Sequence, residues 1–195
     1  MKLLHIDSSI TGDQSVSRQL TARIVEGLRR GSPEMTAIYR DLAKDPLPHF
    51  VLSHEVEHDS AAATASLEEF LDADVVVIGA PMYNFAIPSQ LKAWIDTLLV
   101  AGKTFRYTES GPQGLAGGKR VIVASSRGGV YPDGPMAPTD HQETYLRQIL
   151  GFIGIANVEI VRAEGVAKGP DARQQAIDSA LGYADTLVGG ATMAA

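Results

Sequence analysis

Apolar positions along Lys2 to Ser8 place Leu3, Leu4 and Ile6 in a core. From Ser17 to Leu28 the spacing lengthens to that of a helix, with Leu20, Ile24, Val25 and Leu28 on one face. A strand, a polar loop and a helix are predicted in that order. Met35 to Arg40 reads as a short second strand and Ala61 to Leu71 as a second helix. Between them, Asp41 to Asp59 is rich in Pro and His and reads as an irregular excursion. Asp74 to Ala80 is a nearly unbroken apolar, β-branched run, the pattern of a central parallel strand covered on both faces, and Pro81 is expected to end it. Ser89 to Val100 restores helical spacing through Leu91, Trp94, Ile95 and Leu98. Arg120 to Ser125 is a fourth strand, followed by Ser126-Arg127-Gly128-Gly129 and a long polar loop through Pro138. Asn157 to Ala163 gives a fifth strand and Asp171 to Leu187 a final helix.

Strands alternating with helices imply right-handed crossovers and an α/β doubly wound, five-stranded parallel sheet of order 2-1-3-4-5 with helices on both faces. In that topology ligands bind beyond the carboxyl ends of the strands, at the switch point between strands 1 and 3. The loops after strands 1, 3 and 4 converge there. No repeat or linker interrupts the 195 residues, so residues 1–195 are expected to form a single domain.

Composition narrows the chemistry. With 45% hydrophobic and 21% charged residues the chain has ordinary globular usage. Its net charge of -6 supplies no electrostatic footprint for nucleic acid or anionic lipid, so any bound anion must be held by local geometry. The absence of cysteine excludes disulfides, thiolate metal ligands and a Cys nucleophile. No stretch approaches the ~20 apolar residues of a membrane span, and the first residues lack a cleavable leader pattern, so a cytoplasmic protein is expected.

Three loops carry candidate chemistry. Ser8 to Ser17 leads from strand 1 into helix 1, where free backbone N–H groups and the helix dipole favour a phosphate. Hydroxyls at Ser9, Thr11, Ser15 and Ser17 add neutral donors. The loop lacks both the nucleoside-triphosphatase and the dinucleotide glycine patterns, so a terminal monophosphate fits it best. Simple helix capping by Ser15 or Ser17 is the plainer alternative. Pro81 to Lys92 sets Met82, Tyr83, Asn84 and Phe85 outside a buried strand, where a planar aromatic ligand would explain bulky apolar groups. Met82 and Phe85 folding back over the sheet edge is the alternative. Gly128-Gly129 after strand 4 is a plain turn or a place of close backbone approach.

Taken together, Met82-Tyr83-Asn84-Phe85 with Gln90-Leu91-Lys92, Thr104 to Glu109, Ser126 to Gly129 and Gly151-Phe152-Ile153-Gly154 resemble the bacterial FMN-dependent NAD(P)H azoreductases, a group with a flavodoxin-like fold. Ser9 and Ser15-Val16-Ser17 fit the phosphate loop of that family. The resemblance covers essentially the whole chain and departs from longer members in a shorter stretch between strands 2 and 3. It implies that Ser9, Ser15, Val16 and Ser17 hold the FMN phosphate and that Met82, Tyr83, Asn84 and Phe85 lie along the isoalloxazine. It further implies that Ser126, Arg127, Gly128 and Gly129 approach the pyrimidine edge, where backbone donors would meet the negative charge that reduction places near N1 and O2.

A flavin performs redox chemistry itself, so no catalytic side chain is required and none is assigned. Hydride is expected to pass from NADH or NADPH to flavin N5 and on to a flat acceptor, an azo compound or a quinone, with ping-pong kinetics. Phe105, Tyr107, Tyr131 and Phe152 are candidates for an aromatic lid over these substrates, with core packing as the competing role. The resemblance also implies a homodimer with its cleft at the subunit interface. Two other readings stay open: a flavodoxin-like one-electron carrier without its own small-molecule acceptor, and a flavin-free phosphate-binding domain. His49, His54 and His58 could be read as metal ligands, the last two at i, i+4 with Glu55 and Glu57 nearby, but the segment lacks helix signals, a solvated polar loop is the plainer reading, and no metal is assigned to them.

Overall fold

Alternate residues of five parallel strands feed two hydrophobic layers, which is why the sheet is covered on both sides. The computed structural model describes residues 1–49 and 61–189. The strands are β1 (Lys2–Asp7), β2 (Thr36–Asp41), β3 (Val75–Pro81), β6 (Arg120–Arg127) and β7 (Val158–Glu164), in the order β2-β1-β3-β6-β7. Counting sheet strands alone, this is the order 2-1-3-4-5 expected from the sequence.

On one face Leu4, Ile6, Val76, Ile78, Val121 and Val123 pack against α2 (Ala61–Asp72), α3 (Ser89–Leu98) and α4 (Glu143–Phe152), chiefly through Phe70, Trp94 and Leu146. On the other face Leu3, Val75, Val77, Ile122 and Val161 pack against α1 (Val16–Gly31) and α5 (Pro170–Gly189) through Leu20, Ile24, Ile177 and Ala184. Every residue of β3 is buried, as its uninterrupted apolar run requires. No helix among the described residues is long and apolar enough to cross a membrane.

Four features differ from the sequence reading. β3 stops at Pro81 as expected but includes it, one residue beyond Ala80 and paired with Ser126, because a proline is tolerated where the ladder runs out. Ser126 and Arg127 belong to β6 and not to the loop after it; Arg127 pairs with Glu164 of β7, and its polarity disguised a buried strand end. Helix α4 was not anticipated, although Leu146, Leu150 and Ile153 stand on one face. Its start has no capping side chain at Gln142; Asp140 Oδ1 instead accepts from the N–H groups of Gln142 (3.0 Å) and Glu143 (3.1 Å). A hairpin of β4 (Phe105–Thr108) and β5 (Gly111–Gly114) is the fourth, hidden by its glycines and proline. Of the three histidines in the excursion, His49 is exposed and His54 and His58 lie outside the described residues.

Candidate functional site

β1, β3 and β6 are neighbours running the same way, so the loops leaving their carboxyl ends meet on one edge. Ser8 Oγ donates to the Gly79 carbonyl at 2.6 Å and ties the first loop to β3. Ser9 is buried, with Oγ 3.0 Å from Thr11 Oγ1. Ser15 caps α1, accepting from Arg18 N at 3.2 Å, and its hydroxyl lies 3.1 Å from that of Ser17. Val16 turns its side chain into the core, which leaves its backbone N–H as its contribution to the loop. The first turn of α1 therefore presents amides and hydroxyls together, the donor set a phosphate takes.

The second loop is a tight reversal. Met82 N–H continues the sheet by donating to Ser126 O at 2.8 Å, and Tyr83 and Ala86 exchange backbone hydrogen bonds at 2.9 and 3.1 Å. Between them Asn84 (φ 50) and Phe85 (φ 68) are both left-handed, as a type I′ turn demands. Asparagine tolerates that region, but a phenylalanine there is strained by about 1–3 kcal/mol. His141 N–H holds the turn by donating to Phe85 O at 3.1 Å. The Phe85 ring stays 46% exposed and meets Tyr131 edge-on, centroids 6.4 Å apart. Tyr83 reaches the other way: its hydroxyl lies 3.2 Å from Ser9 Oγ and 3.2 Å from Ile10 N, which donates to it. The first two loops are thus one unit.

At the end of β6 the Arg127 side chain is fully buried, with its guanidinium 5.8 Å from the centroid of the Tyr131 ring. Its guanidinium pairs with Asp140 (2.9 Å), Glu164 (3.0 Å) and Glu143, while Nε donates to Ser125 Oγ and Gln142 Oε1, each at 3.0 Å. Burial pushes the Glu164 carboxyl above its usual range despite the Tyr131 amide and Arg127. Gln142 Nε2 closes the network on Ala80 O at 2.7 Å. Arg127 thereby joins the ends of β6 and β7 to the start of α4. Gly128 and Gly129 use their carbonyls on Ala167 N and Gly165 N, at 3.2 and 2.7 Å, and their N–H groups have no partner among the described residues. A Cβ at Gly129 would stand 3.1 Å from the Tyr131 ring.

Behind the first loop lies a second charged network that sequence reasoning missed. Arg18 grips Asp41 with both terminal nitrogens, at 2.8 and 2.7 Å, donates to Ser9 O at 2.9 Å and to Tyr39 Oη at 3.0 Å. Asp7 accepts from Thr21 Oγ1 (2.9 Å) and Tyr39 Oη (3.1 Å), in space that a Cβ on Gly79 would occupy, 2.6 Å from Asp7 Oδ1. Burial raises the Asp7 pKa, but His5, Thr21 and Arg18 together outweigh it and leave the carboxyl below its usual range. The Arg18 hydrogen bond holds Asp41 down as well, and burial pushes Tyr39 up to about 12. The only clue in sequence was an Asp at the end of each of the first two strands.

A cleft of about 1120 Å³ adjoins this edge and shares Ile10, Met82, Tyr83 and Asn84 with the loops. From Ile10 it extends toward α3 and α4, past Ile87, His141 and Tyr145; Ser15, Ser17, Gly128 and Gly129 do not line it. The cleft and the donor nest are therefore adjoining spaces. Of the four proposed lid residues, Tyr131 borders a smaller polar pocket beside the cleft. Phe105 and Tyr107 lie on the hairpin and Phe105 meets Phe152 at the end of α4 instead, with ring centroids 4.8 Å apart for Phe105 and Phe152 and 5.6 Å apart for Phe105 and Tyr107, and Tyr107 is 75% exposed. None of these three lines the cleft of its own chain.

A family model described as a flavodoxin-like fold matches residues 1–188. A protein of Bradyrhizobium diazoefficiens named FMN-dependent NADH:quinone oxidoreductase 2 is 57% identical over 199 residues, covering 96% of this chain and 98% of its own. One from Xanthomonas axonopodis, named FMN-dependent NADH:quinone oxidoreductase 1, is 58% identical over 185 residues, covering 93% of this chain and 94% of its own. The chain belongs to this flavodoxin-like oxidoreductase family. Among solved structures, an azoreductase of Bacillus anthracis superimposes with a TM-score of 0.87 at 32% identity, covering 96% of this chain and 98% of the other. A second from that organism, an FMN-dependent NADH-azoreductase in complex with FMN, gives 0.87 at 27% identity, covering 98% and 99%.

Proposed function

We propose that this protein is an FMN-dependent oxidoreductase that takes hydride from NADH and delivers it to quinones and azo compounds in a ping-pong cycle. The observation that carries the reading is the fusion of the nest and the wall through Tyr83, whose hydroxyl sits on Ser9 and Ile10. The residues present fit FMN. Neutral donors from Ser9, Thr11, Ser15 and Ser17 stand at a helix start, and the unpartnered Gly128 and Gly129 amides lie at the end of the neighbouring strand. When bound, FMN supplies the hydride chemistry through its N5.

The chain's own contribution is placement. Ser9, Ser15, Val16 and Ser17 would hold the phosphate, and Met82, Tyr83, Asn84 and Phe85 would wall one side of the ring system. Gly128 and Gly129 would turn free N–H groups toward its polar edge, with Ser126 and Arg127 fixing them from β6. The strained turn at Asn84-Phe85 is held in place by the His141 N–H, which donates to Phe85 O. The cleft, at about 1120 Å³, exceeds the usual range for a single small ligand and leaves space for a second flat molecule or a second chain.

The placement of the aromatic residues supports a homodimer. Phe105, Tyr107 and Phe152 cannot cover their own cleft from the hairpin and the end of α4, and an exposed Tyr107 beside a buried Phe105 suits a lid over the cleft of a partner subunit. Thr144 borders the cleft, and Phe152 lies eight residues further along α4, roughly 12 Å by helix rise, so one helix connects the two regions. An absorbance spectrum of the purified protein followed by anaerobic titration with NADH and NADPH tests the reading. A flavin band bleached by NADH is the expected result; protein that stays colourless after FMN is added would refute it.

A further inference from the structure

The phosphate loop is built from hydroxyls and amides, yet two carboxylates are buried immediately behind it. Asp7 ends β1 one residue before Ser8, with its side chain 5% exposed. Asp41 ends β2 with its side chain 8% exposed, and one Arg18 nitrogen bonds both Asp41 Oδ1 (2.7 Å) and Ser9 O (2.9 Å), so the carboxylate lies within a few ångströms of the loop backbone. Left alone, two buried negative charges would oppose a phosphate dianion. Arg18, its side chain 16% exposed, is the cation that reaches both, 3.6 Å from Asp7 and forked onto Asp41, while His5 Nε2 lies 3.5 Å from Asp7 alone. Lys44 also approaches Asp41, at 3.8 Å, but is 84% exposed and screened by water. Arg173 touches the far side of the loop by donating to Gln14 O at 2.9 Å and does not reach these acids.

We propose that Arg18 is the residue that makes this loop select a phosphorylated flavin, by fixing the Ser9 carbonyl and cancelling the carboxylate charge a phosphate would otherwise meet. It is a positioning residue: its fork is spent on Asp41, Tyr39 and Ser9, and it acts on the ligand through the loop and the local field. The inference rests on the reading of Ser9 to Ser17 as the phosphate site. A lysine here would keep the charge and lose the bidentate grip. A neutral residue would lose both and leave Asp7 and Asp41 facing the loop.

The test is titration of the full-length apoprotein with FMN and with riboflavin, which differ only in the phosphate. Arg18→Met is expected to weaken FMN binding by roughly tenfold or more while riboflavin affinity stays within about twofold. Arg18→Lys should fall between Arg18→Met and wild type. The double variant Arg18→Met with Asp41→Asn removes the orphaned charge and should recover much of the FMN preference. It also serves if Arg18→Met alone does not fold. An equal loss for both flavins in these variants would show a merely structural role and overturn the proposal, as would an unchanged FMN-to-riboflavin ratio. Equal affinity of the wild-type protein for the two flavins would instead remove the phosphate reading beneath it.

Discussion

The hydroxyl of Tyr83 stands 3.2 Å from Ser9 Oγ, so a side chain from the loop after β3 completes the hydrogen bonding of the loop after β1. The same oxygen accepts from Ile10 N at 3.2 Å. Two segments more than seventy residues apart are thereby tied together, one the proposed phosphate site and the other the proposed flavin wall. Removing the hydroxyl leaves the Tyr83 ring in place and unpairs the Ile10 amide. Tyr83→Phe is expected to cost about 1 kcal/mol in FMN binding, near a fivefold rise in Kd, read by flavin fluorescence titration. An unchanged Kd would show that the two loops are registered by other contacts.

Phe85 carries a left-handed backbone at φ 68 that its side chain disfavours. Phe85→Ala and Phe85→Gly both delete the ring and its contact with Tyr131, and only glycine relieves the backbone. The glycine variant should therefore be about 1 kcal/mol more stable than the alanine variant in urea unfolding. Equal stability would mean the turn relaxes once the ring is gone.

Arg127 faces three carboxylates with no exposure to water. Arg127→Met leaves Asp140, Glu143 and Glu164 close together without it, though Arg162 still grips Glu143. A loss of about 3–5 kcal/mol in unfolding free energy is expected. Because Gly128 and Gly129 follow directly, flavin retention should fall with stability. A variant as stable as wild type would show that the remaining charges rearrange without penalty.

Much of this architecture was legible in the sequence, and the parts that were not share a cause. The buried run of β3 and the 3.6-residue spacing of α1 carry strong one-dimensional signals because each is covered by an apolar layer. The three site loops could be placed because strand order dictates where their ends meet. Arg127 reads in sequence as a solvated loop cation, and only the partners Asp140, Glu143 and Glu164, 13 to 37 residues away, make it a buried strand residue. The same holds for Arg18 and Asp41, whose pairing depends on β2 lying beside β1. Phe105 and Phe152 look alike as lid or core residues in sequence, and their 4.8 Å contact between the hairpin and the end of α4 resolves itself only in three dimensions. Charge pairing and aromatic clustering across long separations leave no periodic trace.

Acid should act on the buried carboxylates behind the phosphate loop. Asp7 and Asp41 have folded-state pKa values below their unfolded ones, so their stabilisation is present above the ordinary aspartate value of about 3.9 and is lost as pH falls through the lower folded values. Glu164 is raised and works in the opposite sense, its contribution present at low pH and lost as pH rises through its folded value. Asp41→Asn should lower stability at neutral pH and flatten the acid limb of the unfolding free energy measured by urea titration. A parallel shift of the whole curve would place the acid sensitivity elsewhere.

A Cβ added to Gly129 would lie 3.1 Å from the Tyr131 ring, and the Gly129 N–H has no partner among the described residues. Gly129→Val should displace that ring and block close approach to the backbone donors, weakening FMN binding by roughly tenfold. Tyr131→Ala should instead raise the acceptor KM and leave the flavin bound. Loss of flavin from Tyr131→Ala would move that residue from the acceptor side to the cofactor side.

The most direct measurement is anaerobic stopped-flow absorbance of the FMN-loaded protein, mixed first with NADH and then with a quinone. The expected result is rapid bleaching of the flavin band by NADH alone, followed by full recovery on adding quinone after the oxidised nicotinamide has been removed. Bleaching that requires both substrates together would contradict the ping-pong cycle, and a flavin band that NADH leaves unchanged would contradict the proposed function itself.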